Sequence, residues 1–188
     1  MTDGRPGMLA LAILGFLHEE PLHGYELKER IKALTGHVRA VSDGALYPAI
    51  ARLEAAGQLE RRVEPGVAAA PRQTLSLTEA GEAELQRRLR EPSEVDITDR
   101  NRYFTVLAFL RHLPSPAAQA EVLRRRLAFL DAPATFFTRG GRRLTSADVP
   151  DPFRKGMIEV ARATRDAERA WLTRTITELG LLPEPGLR

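Results

Sequence analysis

Tyr47 and Arg52 are the side chains in this 188-residue chain whose type and setting most clearly promise chemistry. That chemistry is hydrogen bonding, not bond making. Both lie in the stretch from Ser42 to Gly57, together with Gly44, Pro48, Ala51 and Ala55. Projected at about 100° per residue, these residues gather on one side of a helix, while Leu46, Ile50 and Leu53 recur at the four-then-three spacing of a buried stripe. A solvated helix face is normally covered with Glu and Lys. This one is small and smooth, carrying one phenol and one guanidinium, and it suits a DNA major groove about 12 Å wide. There Tyr47 can pack on a sugar or a thymine methyl and bond phosphate, while Arg52 can reach phosphate or a guanine edge. Ser42 and Gly44 at the front of the helix bring hydroxyl and amide donors towards phosphate, aided by the helix dipole.

Bond-making chemistry finds no comparable support. The histidines at 18, 23, 37 and 112 do not pair at metal-ligand spacing, and there is no cysteine to assist them. No serine sits in a nucleophile elbow, and no glycine run opens a helix as a phosphate cradle. The expectation is no enzyme, no metal and no cofactor. The 28 Lys and Arg against 25 Asp and Glu leave a net charge of +3, and the calculated pI is near 9.7. This balance permits an anionic partner without demanding one. The apolar run Met8–Leu17 is too short to span a bilayer and lacks a cleavage site, so no membrane association is expected and a cytoplasmic location is.

Several elements must position the Ser42–Gly57 face. Met8–Leu17 is apolar almost all round and should be a helix covered on more than one side; core burial inside one subunit is the default reading, and contact of Met8 and Leu11 with a second subunit is a further one. Glu20–Gly24 is a break. Tyr25–Leu34 follows as a helix through Leu27, Ile31 and Leu34, with Tyr25 and Lys28 as candidate DNA-backbone anchors; a half-buried supporting ring is the other reading of Tyr25. Ser42 is a good N-cap and Gly57 suits the left-handed position that closes a helix. Pro48 lies past the first turn, where it removes a backbone hydrogen bond. Either it marks a functional position or the regular helix starts nearer Ala45. Beyond Gly57, Gln58–Glu64 and Arg72–Leu77 alternate as strands around the turn-rich Pro65–Pro71. Two strands after such a helix make a wing, with Arg61, Arg62 and Arg72 as its DNA-facing candidates or, equally, as solvated strand-edge residues. Thr78 caps a helix running to about Arg90.

Residues 91–97 read as a linker, so the expected domains are 1–91 and 92–188. Helices follow from Thr98, from Ser115-Pro116 and from Asp151-Pro152, the last closed by Gly180, with a loop over 133–150. Phe153, Met157, Val160, Thr164, Ala167 and Trp171 step alternately by four and three, the seam of helix pairing. Core packing within one subunit accounts for part of this pattern, and dimerisation through Met157, Val160, Thr164 and Trp171 for the rest.

Three motifs carry a family resemblance: His23-Gly24-Tyr25-Glu26-Leu27; Gly44-Ala45-Leu46-Tyr47-Pro48-Ala49-Ile50-Ala51-Arg52-Leu53-Glu54 with Gly57; and Leu77-Thr78-Glu79-Ala80-Gly81. In this order and spacing, residues 8–90 resemble the PadR family of bacterial winged-helix transcriptional regulators, typically dimeric repressors. The second half is similar in length and helical content to the virulence-activator-like C-terminal domain of longer members. One departure stands out: the family's wing commonly reads Gly-Arg-Pro-Arg followed by an aromatic, where this chain has Ala69-Ala70-Pro71-Arg72 and Leu75. The resemblance implies a small aromatic or lipophilic effector, for which Phe136, Phe137, Phe153 and Trp171 are candidate contacts, though aromatics at such spacings also serve as plain core. The expected molecule is mainly α with a small β-hairpin, an N-terminal winged helix-turn-helix followed by a C-terminal three-helix dimerisation domain. Its expected function is that of a homodimeric, sequence-specific regulator on a two-fold operator, with an effector relieving repression. A low-specificity architectural DNA binder and a winged-helix protein-interaction module are the alternatives.

Overall fold

The computed structural model describes residues 5–35, 42–64, 72–132, 138–139 and 142–181. The chain divides into two compact units, Met1–Pro114 and Ser115–Arg188.

In the first unit, helix α1 (Arg5–Glu19) precedes a two-residue strand β1 (Leu22–His23), helix α2 (Gly24–Thr35) and helix α3 (Asp43–Ala55). Strands β2 (Leu59–Glu64) and β3 (Arg72–Leu77) form the wing, followed by α4 (Glu79–Arg90), α5 (Glu94–Thr98) and α6 (Arg100–Phe109), which runs into a 3-10 turn at Leu110–His112. As its all-round apolar sequence requires, α1 is buried on several sides, through Leu11, Ile13, Leu14 and Leu17. Leu11 is thus part of its own subunit's core, the default of the two readings of this run, and Met8 is half-buried. Leu27 and Ile31 of α2 and Leu46 and Ile50 of α3 close the same core. The sheet has three strands in the order β1-β3-β2, one more than the expected hairpin: Leu22 pairs with Leu75 and Leu59 with Leu77, both ladders antiparallel. Leu75 fills the core here, 3% exposed.

Two glycines where α3 leads on to the wing and α4 are required by geometry. Gly57 has φ of 68° at the end of α3, the left-handed conformation expected of it. Gly81 brings the start of α4 against the chain leaving α3, so that a Cβ there would fall 2.0 Å from the Gln58 carbonyl oxygen. Thr78 caps this helix by accepting from the Gly81 amide at 3.1 Å.

The segment after Arg90 is not a linker. Ser93 and Asp96 form a reciprocal capping box on α5, Ile97 is buried, and α6 packs on α1, with Phe109 edge-on to Phe16 at 5.0 Å between ring centroids. The first compact unit therefore extends to Pro114, not to the expected boundary at 91.

At this packed end, His18 and His112 lie with ring centroids 4.4 Å apart. Glu82 of α4 meets His18 Nδ1 at 2.7 Å, and Glu19 meets His112 Nε2 at 3.2 Å and Arg111 Nη2 at 2.6 Å. Burial pushes the His112 imidazole below its ordinary pKa; His18 and Arg111 push the same way, while the Glu19 hydrogen bond opposes them. The unfolded chain then binds this proton more readily than the folded one. The contribution of His112 to stability is present above the ordinary histidine pKa of about 6.5, declines below it, and is lost once the pH has fallen through the lower folded value. Thermal melts should show a lower midpoint at pH 5.5 than at pH 7.5, and His112→Gln should shrink that difference. An unchanged pH dependence in the variant would show that this histidine does not couple to folding.

The second unit is built on α7 (Pro116–Asp131) and α8 (Pro152–Leu179). Both begin as the sequence indicates, with Ser115 and Asp151 capping ahead of a proline. Gly180 ends α8, as expected, with φ of −68°, a right-handed closure. Leu123 and Leu130 of α7 and Leu172 of α8 are buried, and between them Arg126, 2% exposed, is bound by Glu168. Within the expected 133–150 loop, Thr138–Arg139 and Arg142–Arg143 pair as two short antiparallel strands, β4 and β5. Among the described residues, no helix is long and apolar enough to cross a membrane.

Candidate nucleic-acid interface

The local sequence builds α3 as a helix with two unlike sides. Leu46, Ala49, Ile50 and Leu53 are buried, while Gly44, Tyr47, Pro48, Ala51, Arg52 and Ala55 are exposed. Ser42 is the N-cap by backbone, its carbonyl accepting from the Ala45 and Leu46 amides at 3.0 Å each. Its hydroxyl makes no capping hydrogen bond, contrary to the expectation, and the residue is exposed. The helix begins at Asp43, so Pro48 lies inside it. The amide that would have bonded the Gly44 carbonyl is therefore missing at the exposed surface.

Tyr47 is 50% exposed. Its ring lies over the start of α2, with Cε1 3.5 Å from where a Gly24 Cβ would stand. Tyr25 is 71% exposed, which excludes the half-buried supporting role. Arg52 makes no ion pair with any described residue and points from the far edge of the smooth stripe. Tyr25, Tyr47 and Arg52 are thus all available to a partner on this side of the unit.

The other basic candidates are differently placed. Lys28 Nζ lies 2.7 Å from Asp43 Oδ1, and this hydrogen bond raises the lysine pKa, holding the ammonium charged. Arg61 forms a two-pronged pair with Glu54, Nε to Oε1 at 2.8 Å and Nη2 to Oε2 at 2.9 Å, and donates to Gln73 Oε1 at 2.6 Å. Glu54 raises its pKa as well. Arg61 is thereby a brace between α3 and the wing strands. Arg62 pairs with Glu60 at 2.7 Å while remaining 72% exposed along its side chain. Arg72 pairs through its backbone with Glu64, and its side chain lies outside the described residues.

Two residues that fix the geometry of this surface are missing from the sequence-based set. Asp43 sits in the first turn of α3 as the partner of Lys28, and Glu54 is the anchor of Arg61. Both are acids on a helix read as meeting a polyanion. That contradiction in charge is the signal that could have drawn attention to them.

Of the remaining candidates, Phe136 and Phe137 lie outside the described residues. Phe153 is 85% exposed, and Trp171 is half-buried. Along the α8 seam, Met157 is 46% and Val160 67% exposed, with Thr164 half-buried. The seam is therefore largely uncovered within one chain.

Residues 13–87 match the family model described as the transcriptional regulator PadR-like family. No curated protein sequence matches the chain. Among solved structures, a PadR-like transcription factor from Bacteroides fragilis shares 30% identity over 45% of this chain and 79% of its own, with a TM-score of 0.40. Bacillus subtilis PadR in complex with operator DNA shares 19% identity over 91% and 98%, with a TM-score of 0.44. The same Bacillus protein in complex with p-coumaric acid shares 19% over 92% and 99%, with a TM-score of 0.41.

Proposed function

Since this chain belongs to the transcriptional regulator PadR-like family, we propose that it acts as a homodimeric, sequence-specific DNA-binding regulator whose α3 enters the major groove. The observation that carries this reading is the two-sidedness of α3: its apolar stripe is buried, while Tyr47, Arg52 and the small residues between them face outward. A helix of this kind, following a second helix and followed by a wing, meets base edges with its outer face. Arg52 is the guanine or phosphate reader, Tyr25 and Tyr47 touch backbone and sugar, and Ser42 offers its unengaged hydroxyl to phosphate.

Dimerisation through α8 is supported by Phe153, Met157 and Val160, apolar and at least 46% exposed along one seam. A second copy would cover them. Repression relieved by a small aromatic or lipophilic effector is the regulatory scheme that fits the family. It is proposed for this chain on that ground.

A footprint of the purified full-length protein on the DNA upstream of its own coding region tests the reading. We expect two protected half-sites related by a two-fold axis, their centres about 34 Å apart or a multiple of it. Protection without sequence preference, with a steep salt effect equal on all DNA, would identify a low-specificity binder instead.

A further inference from the structure

We infer that Asp43 is a base-reading residue, held in place by Lys28, and that it selects cytosine at one position of each half-site. The inference rests on reading α3 as the DNA-facing helix. Asp43 is the first residue of α3, its side chain 62% exposed, with Lys28 Nζ 2.7 Å from Oδ1. Projected along the helix at about 100° per residue, Gly44, Pro48, Ala51 and Ala55 form the middle of the exposed stripe, with Arg52 on one edge and Asp43, next to Tyr47, on the other.

A bare carboxylate at that edge would be repelled by phosphates. Lys28 cancels its charge and fixes its orientation through one oxygen, while no described residue donates to Oδ2. An acceptor with no donor of its own can make one kind of favourable contact with a base edge in the major groove. Guanine offers two acceptors there, thymine a carbonyl and a methyl group, and adenine an acceptor beside its amino group. Cytosine offers an amino group with no competing acceptor on the same base. The smooth stripe and the guanidinium on its opposite edge then complete a reading surface with an acceptor at one side and donors at the other. Lys28 is on this account a positioning residue for Asp43, not a phosphate anchor.

Selection of binding sites from a random duplex library, carried out with the full-length wild type, Asp43→Ala and Asp43→Asn, tests the assignment. The wild type should enrich cytosine at one position per half-site by roughly tenfold. Asp43→Ala should flatten that position and leave the others unchanged. Asp43→Asn should move it towards adenine, because an amide both donates and accepts. Lys28→Gln should blur the same position while the guanine preferences persist, which a merely structural ion pair would not do. The near-isosteric Asn variant guards against a folding defect. Identical preferences in all variants, or uniformly tighter binding of every sequence by Asp43→Ala, would overturn the inference and leave the DNA-binding reading standing. A wild type that selects no sequence would overturn both.

Discussion

Tyr47→Ala is expected to abolish the retardation of operator DNA on a native gel while leaving the proposed dimer intact in sedimentation. The expected loss is large because the residue acts twice. A side chain that contributes about 1–3 kcal/mol in one half-site contributes about twice that in a two-fold complex, from roughly thirtyfold to more than ten-thousandfold in affinity. Stability should hardly change, since half of the side chain is in solvent. A far-ultraviolet spectrum and melting midpoint close to those of the wild type would accompany the loss. Undiminished operator binding by a folded Tyr47→Ala dimer would remove α3 from the interface, and the proposed function with it.

The second large effect concerns folding. Arg126 and Glu168 join α7 to α8 through two hydrogen bonds, Nε to Oε1 at 2.7 Å and Nη2 to Oε2 at 3.2 Å, with side-chain exposures of 3% and 13%. Removing the Glu168 carboxylate breaks this ion pair at a cation that is almost fully buried, and losing one partner of a buried pair typically costs about 3–5 kcal/mol. Glu168→Ala should therefore unfold the second unit at much lower denaturant concentration, and the dimer should weaken in consequence. Arg126→Met combined with Glu168→Leu should recover most of the loss, because two apolar side chains of comparable reach need no partner. Denaturant melts of the three proteins decide the matter. A Glu168→Ala variant that melts like the wild type would mean that Arg126 is adequately solvated or otherwise paired without it.

Much of the first unit was legible because its signals are local. The four-then-three spacing of Leu46, Ile50 and Leu53, Ser42 ahead of the helix and Gly57 behind it specify α3 within a few residues of one another. The alternation around Leu59 and Leu75 does the same for the wing. The strand Leu22–His23 left no such trace, since two residues are too few for a period-two pattern. It exists because β3 offers an edge to pair with, a fact located some fifty residues downstream, as the His23↔Thr74 register shows. The boundary was misplaced for a related reason. Pro92 and the acids around it look like a linker, but the docking of Phe109 against Gly15 and Phe16 of α1 is a long-range event without a local signature. On the candidate interface, residue types single out Tyr47 and Arg52, whereas the ion pairs of Lys28 and Arg61 depend on acids elsewhere on the surface. Arginine has the same identity whether it faces a phosphate or a Glu54.

Those two acid–base contacts peg α3, the proposed reading helix, at both ends, to α2 through Asp43 and to the wing strands through Glu54. A helix already pegged has little orientational freedom left to surrender on docking, which favours tight binding. The pegs are themselves partly solvent-exposed ion pairs, so dissolved salt weakens them along with the attraction to phosphate. Ionic strength thus acts on this protein at two places, and the number of phosphates deduced from its salt dependence will exceed the number it touches.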